Sequence, residues 1–221
     1  MLTELGKTTV KFEYLATQLG IANTHLYFFR QLTAAEQGAC KKEFYKSLDF
    51  WGYTISAHIQ ATVVHLCRVY DTHGRHAGGS TLHLLRFVQD IGQSKLTNVE
   101  HALHESDLKF LQKAKRETGA TPHPAVAKLR AWRNSLVAHR DYDWSLTGIG
   151  EFLKQYPVDL EEIQFLIDRG FQILDHWKRY CGCEGEIKRL AGGKDGYKFV
   201  LDALRLFFLQ RPGAEPAAER L

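Results

Sequence analysis

Three residue types that suit the cleavage of RNA lie within one short segment of the chain. Arg133, Asn134 and His139 combine a cation, a neutral amide and an imidazole in the run RNSLVAH. A histidine can take the proton of a ribose 2′-hydroxyl because its ordinary pKa of about 6.5 lies near neutral pH. An arginine can bind a phosphate with two donors and stabilise the charge that develops on its oxygens. With the amide as a positioning group, this chemistry requires no metal ion.

The histidine of this segment also has a simpler interpretation. Ala125, Leu129 and Trp132 fall with His139 on one stripe of a helix that has about 3.6 residues per turn. A histidine that ends an apolar stripe is commonly a core or interface residue bonded to a carbonyl. Arg133 lies at the edge of the same face and cannot reach the histidine along an ideal helix. A shared site would need a second helix, or a second copy of this one, to close over the stripe.

Positive charge is concentrated around this segment. The whole chain has 29 Lys and Arg against 25 Asp and Glu, a net charge of +4. Between residues 109 and 140, by contrast, eight basic residues accompany a single acidic one, Glu117. This concentration is typical of a phosphate-binding surface, the alternative being a solvated basic face. Besides Arg133, the candidate RNA-binding residues are Lys109, Lys113, Lys115, Arg116, Lys128, Arg130 and Arg140.

Helices must position the segment, because apolar residues recur along the chain at steps of three and four. One long amphipathic helix is predicted from about Phe44 to Val69. One or two helices precede it between Val10 and Leu32, with a break at Gly20. A short helix capped by Ser80 or Thr81 follows it.

The second half of the chain continues the helical pattern. A helix is predicted from Thr97 to Thr118, and the motif helix from the prolines at 122 and 124 to about Arg140. Asp159 is expected to cap the next helix, and a last helix spans about Tyr197 to Gln210. No segment alternates apolar and polar residues in the manner of a strand. The predicted fold class is therefore all-α, a helical bundle.

The length of 221 residues allows one domain with a full hydrophobic core. We expect a single helical domain over 1–210, with a core at about 40–180, a C-terminal helix at about 195–210 and a disordered tail at 211–221. The apolar runs are far shorter than a membrane span, and the N-terminus lacks the pattern of a secretory signal. A cytoplasmic location without membrane contact is the expectation.

The cysteines and histidines give little support for a metal site. Cys181 and Cys183 form the only close cysteine pair, and no second pair of ligands lies at matching spacing, which favours a reduced turn. His101 and His104 share a helix face but have no acidic or cysteine partner beside them. The scatter of the 11 histidines disfavours a metal-dependent hydrolase. No metal and no other cofactor is expected.

The segment from Lys128 to Asp141 resembles the signature of HEPN domains, in which an arginine, often followed by a polar residue, precedes a histidine by a short spacer. Five residues intervene between Arg133 and His139. The ending AHRD, and an upstream helix that contains FW and closes in RVYD, are similar to the abortive-infection AbiU-type branch. The resemblance covers about residues 40 to 180.

This resemblance implies a helical bundle that forms a homodimer with two motifs facing one another. Such domains commonly act as metal-independent ribonucleases in toxin–antitoxin or phage-defence systems. The resemblance assigns catalytic roles to Arg133 and His139 and an auxiliary role to Asn134. It also suggests Asp71 as an orienting residue, although a helix-end charge is the simpler explanation of that aspartate.

The same resemblance implies the partners of the chain. These are an RNA substrate, a second copy of the chain and a cognate antitoxin. Some HEPN domains are inactive, so the alternative function is a non-catalytic helical module that binds RNA or protein.

Overall fold

The computed structural model describes residues 4–38, 41–45, 47–70, 83–93, 109, 124–133, 159–183 and 187. All regular elements within these ranges are helical, and the all-α prediction is confirmed. In chain order the α-helices are α1 (Glu4–Gln37), α2 (Lys41–Tyr45), α3 (Leu48–Tyr70), α4 (Leu84–Gln93), α5 (Pro124–Trp132) and α6 (Leu160–Trp177). A 3-10 helix continues α6 over Lys178–Cys181.

Helix α1 is one continuous helix of 34 residues, so the break expected at Gly20 is wrong. The glycine is buried in the middle of the helix. A helical glycine costs only about 1 kcal/mol relative to alanine, and burial of a single large apolar side chain outweighs that cost. The buried apolar side chains of α1 recur at steps of three and four: Phe12, Leu15, Leu19, Ala22 and Leu26.

The long helix predicted from Phe44 to Val69 is divided into α2 and α3. Ser47 occupies a turn between them, where its amide donates to the Phe44 carbonyl at 3.1 Å. Phe44 still packs against Trp51, with ring centroids 4.6 Å apart, and both side chains are buried. Because of this contact, the apolar periodicity continues across the turn. The periodicity therefore predicted a single helix.

Helices α1 and α3 run antiparallel and form the most extensive helix pair in the described part of the chain. Three contacts show the register: Gln18 lies beside His65, Thr62 donates to the Ala22 carbonyl, and His25 lies beside His58. The residue numbers in these contacts rise along α1 as they fall along α3. The main hydrophobic core is built on this pair and receives side chains from α4, α5 and α6.

The cap of helix α4 differs from the prediction. The helix begins at Leu84, after Ser80 and Thr81, so neither of these residues is its cap. His83 caps it instead, because the Arg86 amide donates to His83 Nδ1 at 3.1 Å and the Phe87 amide to the His83 carbonyl at 3.0 Å. The imidazole nitrogen accepts the bond that a serine or threonine hydroxyl was expected to accept.

The starts of α5 and α6 agree with the predictions. Helix α5 begins at Pro124, where a missing amide hydrogen costs no intrahelical bond. Asp159 caps α6, and its Oδ1 accepts from the Glu161 amide at 2.9 Å. The apolar positions that predicted α6 are buried, Ile167 and Leu174 among them.

Several predicted elements lie outside the described residues. These are the helix from Thr97 to Thr118 apart from Lys109, which is helical, and the motif helix after Arg133. The helix from Tyr197 to Gln210 and the tail at 211–221 also lie outside them. In the described ranges, no helix has the length and apolarity that a membrane crossing requires.

Gly170 allows α6 to approach α1 closely. A Cβ at this position would lie 2.8 Å from Leu19 Cδ2 and 3.1 Å from the Tyr70 hydroxyl, and Leu19 has no exposed surface into which to move. We expect Gly170→Ala to lower the free energy of unfolding, because overpacking of about 1–3 kcal/mol exceeds the gain of up to about 1 kcal/mol in helix propensity. Urea unfolding followed by circular dichroism measures the difference.

Gly52→Ala is the matched control. It introduces the same methyl group into a helix, at a place where nothing lies within 4 Å of the added Cβ. This variant should be as stable as the wild type or slightly more stable. Equal effects of the two substitutions would contradict the close approach at Gly170.

Candidate functional site

Arg133 follows helix α5 directly, continues its helical path and has a half-buried side chain. The helix before it is held in the core by Ala125, Leu129 and Trp132, all buried as the stripe predicted. The Cys67 thiol of α3 donates to the Leu129 carbonyl at 3.6 Å. The backbone that carries Arg133 is therefore fixed by the interior of the fold.

The part of the stripe that is described is covered by the chain itself. Val63 of α3 and Leu166 of α6 lie opposite Leu129 and Trp132 around a cavity of about 20 Å³. This volume holds roughly one water molecule and no nucleotide. The residues from Ala125 to Trp132 that face the core are therefore not available as a contact for a second copy.

Lys128, one of the candidate RNA-binding residues, is paired with an acidic residue. Its Nζ lies 2.6 Å from Glu162 Oε2 on α6, and both side chains are partly exposed. A phosphate group would have to compete with this carboxylate for the lysine. Lys109 is also exposed.

The other residues predicted for the site are only partly covered by the structure. Arg130 lies in α5. The remaining candidates lie outside the described residues: Asp71, Lys113, Lys115, Arg116, Asn134, His139 and Arg140. The structure thus gives the position of Arg133 and the packing of its helix, and the Arg133–His139 pairing stays a prediction.

A cluster that the sequence did not indicate lies between α1 and α3. His25, His58 and His65 are half-buried, and we refer to them as the histidine cluster. The Nδ1 atoms of His25 and His58 lie 2.8 Å apart, so one ring donates and the other accepts. The His25 ring is also nearly parallel to the His65 ring, at a centroid distance of 6.1 Å.

Gln18 and Arg68 determine the hydrogen-bonding state of His65. Arg68 donates to Gln18 Oε1 at 3.3 Å, and an arginine can only donate. The atom it contacts is therefore the amide oxygen, which lies 2.8 Å from His65 Nδ1. His65 must donate through Nδ1, which leaves Nε2 as the acceptor in the neutral ring.

The fold favours the neutral form of all three histidines. Burial lowers the pKa of His25 below its ordinary value of 6.5. Burial and then the charge of His25 lower the pKa of His58. Burial, followed by Arg68 and His25, lowers the pKa of His65. The pKa values are lowered because the rings are partly removed from water and because other positive charges lie close to them.

The spacing of these residues is a signal that could have revealed the cluster. Gln18 and His25 are seven residues apart on α1, and His58 and His65 are seven apart on α3. A separation of seven returns to the same helix face after two turns. Two such pairs on neighbouring antiparallel helices can lie side by side. The spacing therefore predicts the cluster only when it is known that α1 pairs with α3.

The cysteine pair lies at the end of the 3-10 helix, with Cys181 as its last residue, and has no reactive character. Both thiols are free, and Cys181 is fully buried. Burial raises the pKa of Cys181 to about 12 and also raises that of Cys183, so both are protonated at neutral pH. Among the described residues, no group of three or more His, Cys, Asp or Glu side chains is placed to hold a metal ion.

The all-helical architecture and the sequence motif that begins at Arg133, directly after α5, agree with one class of protein, the HEPN domains. The family model described as AbiU2 matches residues 7–179, more than three quarters of the chain. The chain belongs to this AbiU2 family of HEPN domains, which is of the abortive-infection type. The match includes α1, which the resemblance over about 40 to 180 left out. No curated protein and no solved structure matches the chain.

The histidine cluster predicts a pH dependence of stability. Unfolded histidines have the ordinary pKa, whereas the cluster has lowered values, so the unfolded state binds more protons as the pH falls through about 6.5. Acidification from pH 7.5 to 5.5 should therefore destabilise the fold. Thermal unfolding at the two pH values measures this loss.

The variant His25→Gln/His58→Gln separates this effect from that of other titrating groups. It removes two of the three imidazoles, so its melting temperature should fall less than that of the wild type over the same pH interval. At pH 7.5 it should be the less stable protein, because it lacks the hydrogen-bonded ring pair. Equal pH dependence in both proteins would show that the histidines titrate as they do in the unfolded chain.

Proposed function

We propose that this AbiU2-family protein is a metal-independent endoribonuclease of a toxin–antitoxin or phage-defence system, acting on RNA in the cytoplasm. The observation that carries the proposal is the position of Arg133 directly after α5, a helix that packs against α3 and α6. A phosphate-binding group on a rigid element can be held in one geometry through the reaction. Membership of the HEPN class supports the reaction type.

In the proposed reaction, His139 takes the proton from a ribose 2′-hydroxyl, and the oxygen attacks the adjacent phosphorus. The bond from phosphorus to the 5′-oxygen then breaks, and the leaving oxygen takes up a proton. Arg133 stabilises the charge that develops on the phosphate oxygens, and Asn134 positions the phosphate. Asp71 is proposed to orient Arg133 or His139. The 5′-side product ends in a 2′,3′-cyclic phosphate.

The RNA is proposed to follow the basic window around the motif. Lys109 is exposed there, and Lys128 is paired with Glu162, so a phosphate group would compete with a carboxylate for Lys128. The other proposed phosphate contacts are Lys113, Lys115, Arg116, Arg130 and Arg140. A cognate antitoxin would act by blocking this surface or the motif itself.

Substitution of the two catalytic residues tests the mechanism. Arg133→Ala and His139→Ala should each lower the rate of RNA cleavage by about 10²–10⁴-fold, since one removes charge stabilisation and the other the general base. Cleavage of a labelled oligoribonucleotide in excess EDTA, followed on a gel, measures the rate. A 2′-deoxy substitution at the scissile position should block the cut, because the nucleophile is absent.

Arg86→Ala is the matched control for the loss of an arginine. Arg86 is an exposed arginine on α4, paired with Asp90 at 2.7 Å, and its removal should leave cleavage unchanged. Circular dichroism establishes that each variant is folded. Full activity of folded His139→Ala would exclude the mechanism. A folded wild-type protein that binds RNA without cutting it would establish the alternative, a non-catalytic HEPN binding module.

We also propose that the active form is a homodimer in which two motifs face one another. The described part of the apolar stripe is buried within its own chain, so the contact must use other residues of the motif region. Light scattering of the purified protein at micromolar concentration should give the mass of two chains, about twice 25.3 kDa. A single-chain mass would mean that each site is complete within one copy.

A further inference from the structure

The histidine cluster lies on α1 and α3 and belongs to neither the motif helix nor the basic window. We propose that His25, His58, His65 and Arg68 form an anion site that binds a phosphate group when the cluster takes up a proton. Arg68 is exposed, and the three imidazoles are only half-buried, so a small anion can reach them. The site is independent of the proposed ribonuclease function.

The two helices that form the cluster contain no carboxylate near it. Helix α1 has no Asp or Glu between Glu13 and Glu36, and α3 has none after Asp49. Each protonated histidine would therefore lie beside other cationic groups of the same two helices. An anion from solution is the counter-charge that this surface lacks.

The carboxylates of the elements packed on α1 and α3 are largely bound to other partners. On α4, Asp90 is held by Lys11 and Arg86 at 2.8 and 2.7 Å. On α6, Asp168 accepts from Gln164, and Arg169 bonds Gln172. Three further ion pairs among the described residues join α6 to its surroundings: Glu161 with Arg30, Glu162 with Lys128, and Asp175 with Lys178. Among described groups, the charges that act on the cluster are Arg68 and the histidines themselves.

The His25–His58 contact fits the uptake of one proton. In the neutral pair, one Nδ1 donates to the other across 2.8 Å. A first added proton makes one ring an imidazolium, which can still donate to its neutral neighbour in a stronger, charge-assisted bond. A second proton removes the acceptor and places two cations in contact. A bound anion would stabilise both charged states.

Phosphate is the ligand class that this donor set suits best. Arginine and imidazolium groups donate to phosphate oxygens in charge-assisted bonds. Gln18 accepts the hydrogen bond from Nδ1 of His65, so Nε2 of His65 becomes a donor when that ring is protonated. A metal ion is the other ligand that histidines favour, but no described group of three potential ligands is placed to hold one.

Thermal unfolding of the full chain tests the site with inorganic phosphate as the probe. At pH 6.0, sodium phosphate should raise the melting temperature above that in sodium chloride of equal ionic strength, because a ligand bound only by the folded state stabilises it. The increase should be smaller at pH 8.0, where the cluster is neutral. The absence of an increase at pH 6.0, or an equal increase at both pH values, would overturn the proposal.

Two variants and one control locate the effect. His58→Gln and Arg68→Gln should each lose most of the phosphate-induced increase, whereas Arg86→Gln on α4 should keep it. The comparison uses the increase within each protein, so a lower starting stability of His58→Gln does not affect it. Arg68→Gln changes an exposed side chain and serves where His58→Gln fails to fold. An increase that persists in folded Arg68→Gln and His58→Gln would place the anion elsewhere.

A single-stranded DNA oligonucleotide identifies the source of the phosphate. Without 2′-hydroxyls it cannot be cut by the proposed mechanism, so binding is measured without cleavage. If the site takes backbone phosphates, Arg68→Gln should weaken binding several-fold at pH 6.0, as measured by fluorescence anisotropy. If the site takes only free phosphate, Arg68→Gln should bind the oligonucleotide as the wild type does, although it loses the phosphate-induced increase in melting temperature. Arg133→Ala should keep the thermal effect, so failure of the nuclease proposal is distinguishable.

Discussion

The antiparallel packing of α1 against α3 is the contact on which the rest of the described structure depends. Apolar residues recur at steps of three and four along α1, so one apolar face follows a helix that is roughly 50 Å long. Helices α4, α5 and α6 each add side chains to the core that this pair begins. The hydrophobic effect drives this burial, and it also fixes the register that brings polar residues of the two helices together.

Arg133, the proposed phosphate-binding residue, is positioned through this framework by contacts that are distant in sequence. Tyr70 at the end of α3 donates to the Leu166 carbonyl of α6 at 2.6 Å, and Gly170 lets α6 approach Leu19 of α1. The depth at which α6 packs determines the space that remains for α5. The arginine therefore depends on the correct assembly of four helices, although its motif is contiguous.

Much of this fold could be predicted from the sequence, because apolar periodicity and capping are local signals. The all-α class, the Asp159 cap and the Pro124 start were correct. The break at Gly20 was wrong because tertiary burial outweighs the weak helix propensity of glycine. The division of α2 from α3 was missed because Phe44 packs on Trp51 across the turn. The histidine cluster was missed because its seven-residue spacings become informative only when the pairing of α1 with α3 is known.

The charge counted from the sequence differs from the electrostatic field in the folded protein at two places. The count is too high at Lys128 and too low at the histidine cluster when the cluster is protonated. Lys128 counts toward the basic window, yet Glu162 of another helix neutralises much of its field. The histidines count as neutral, yet they share a surface of α1 and α3 that has no acidic residue of its own nearby. Protonation of the histidine cluster therefore depends on pH, whereas the field of Lys128 depends on its ion pair with Glu162. A count of basic residues along the sequence includes the full charge of Lys128 and omits any charge that the histidine cluster takes up on protonation.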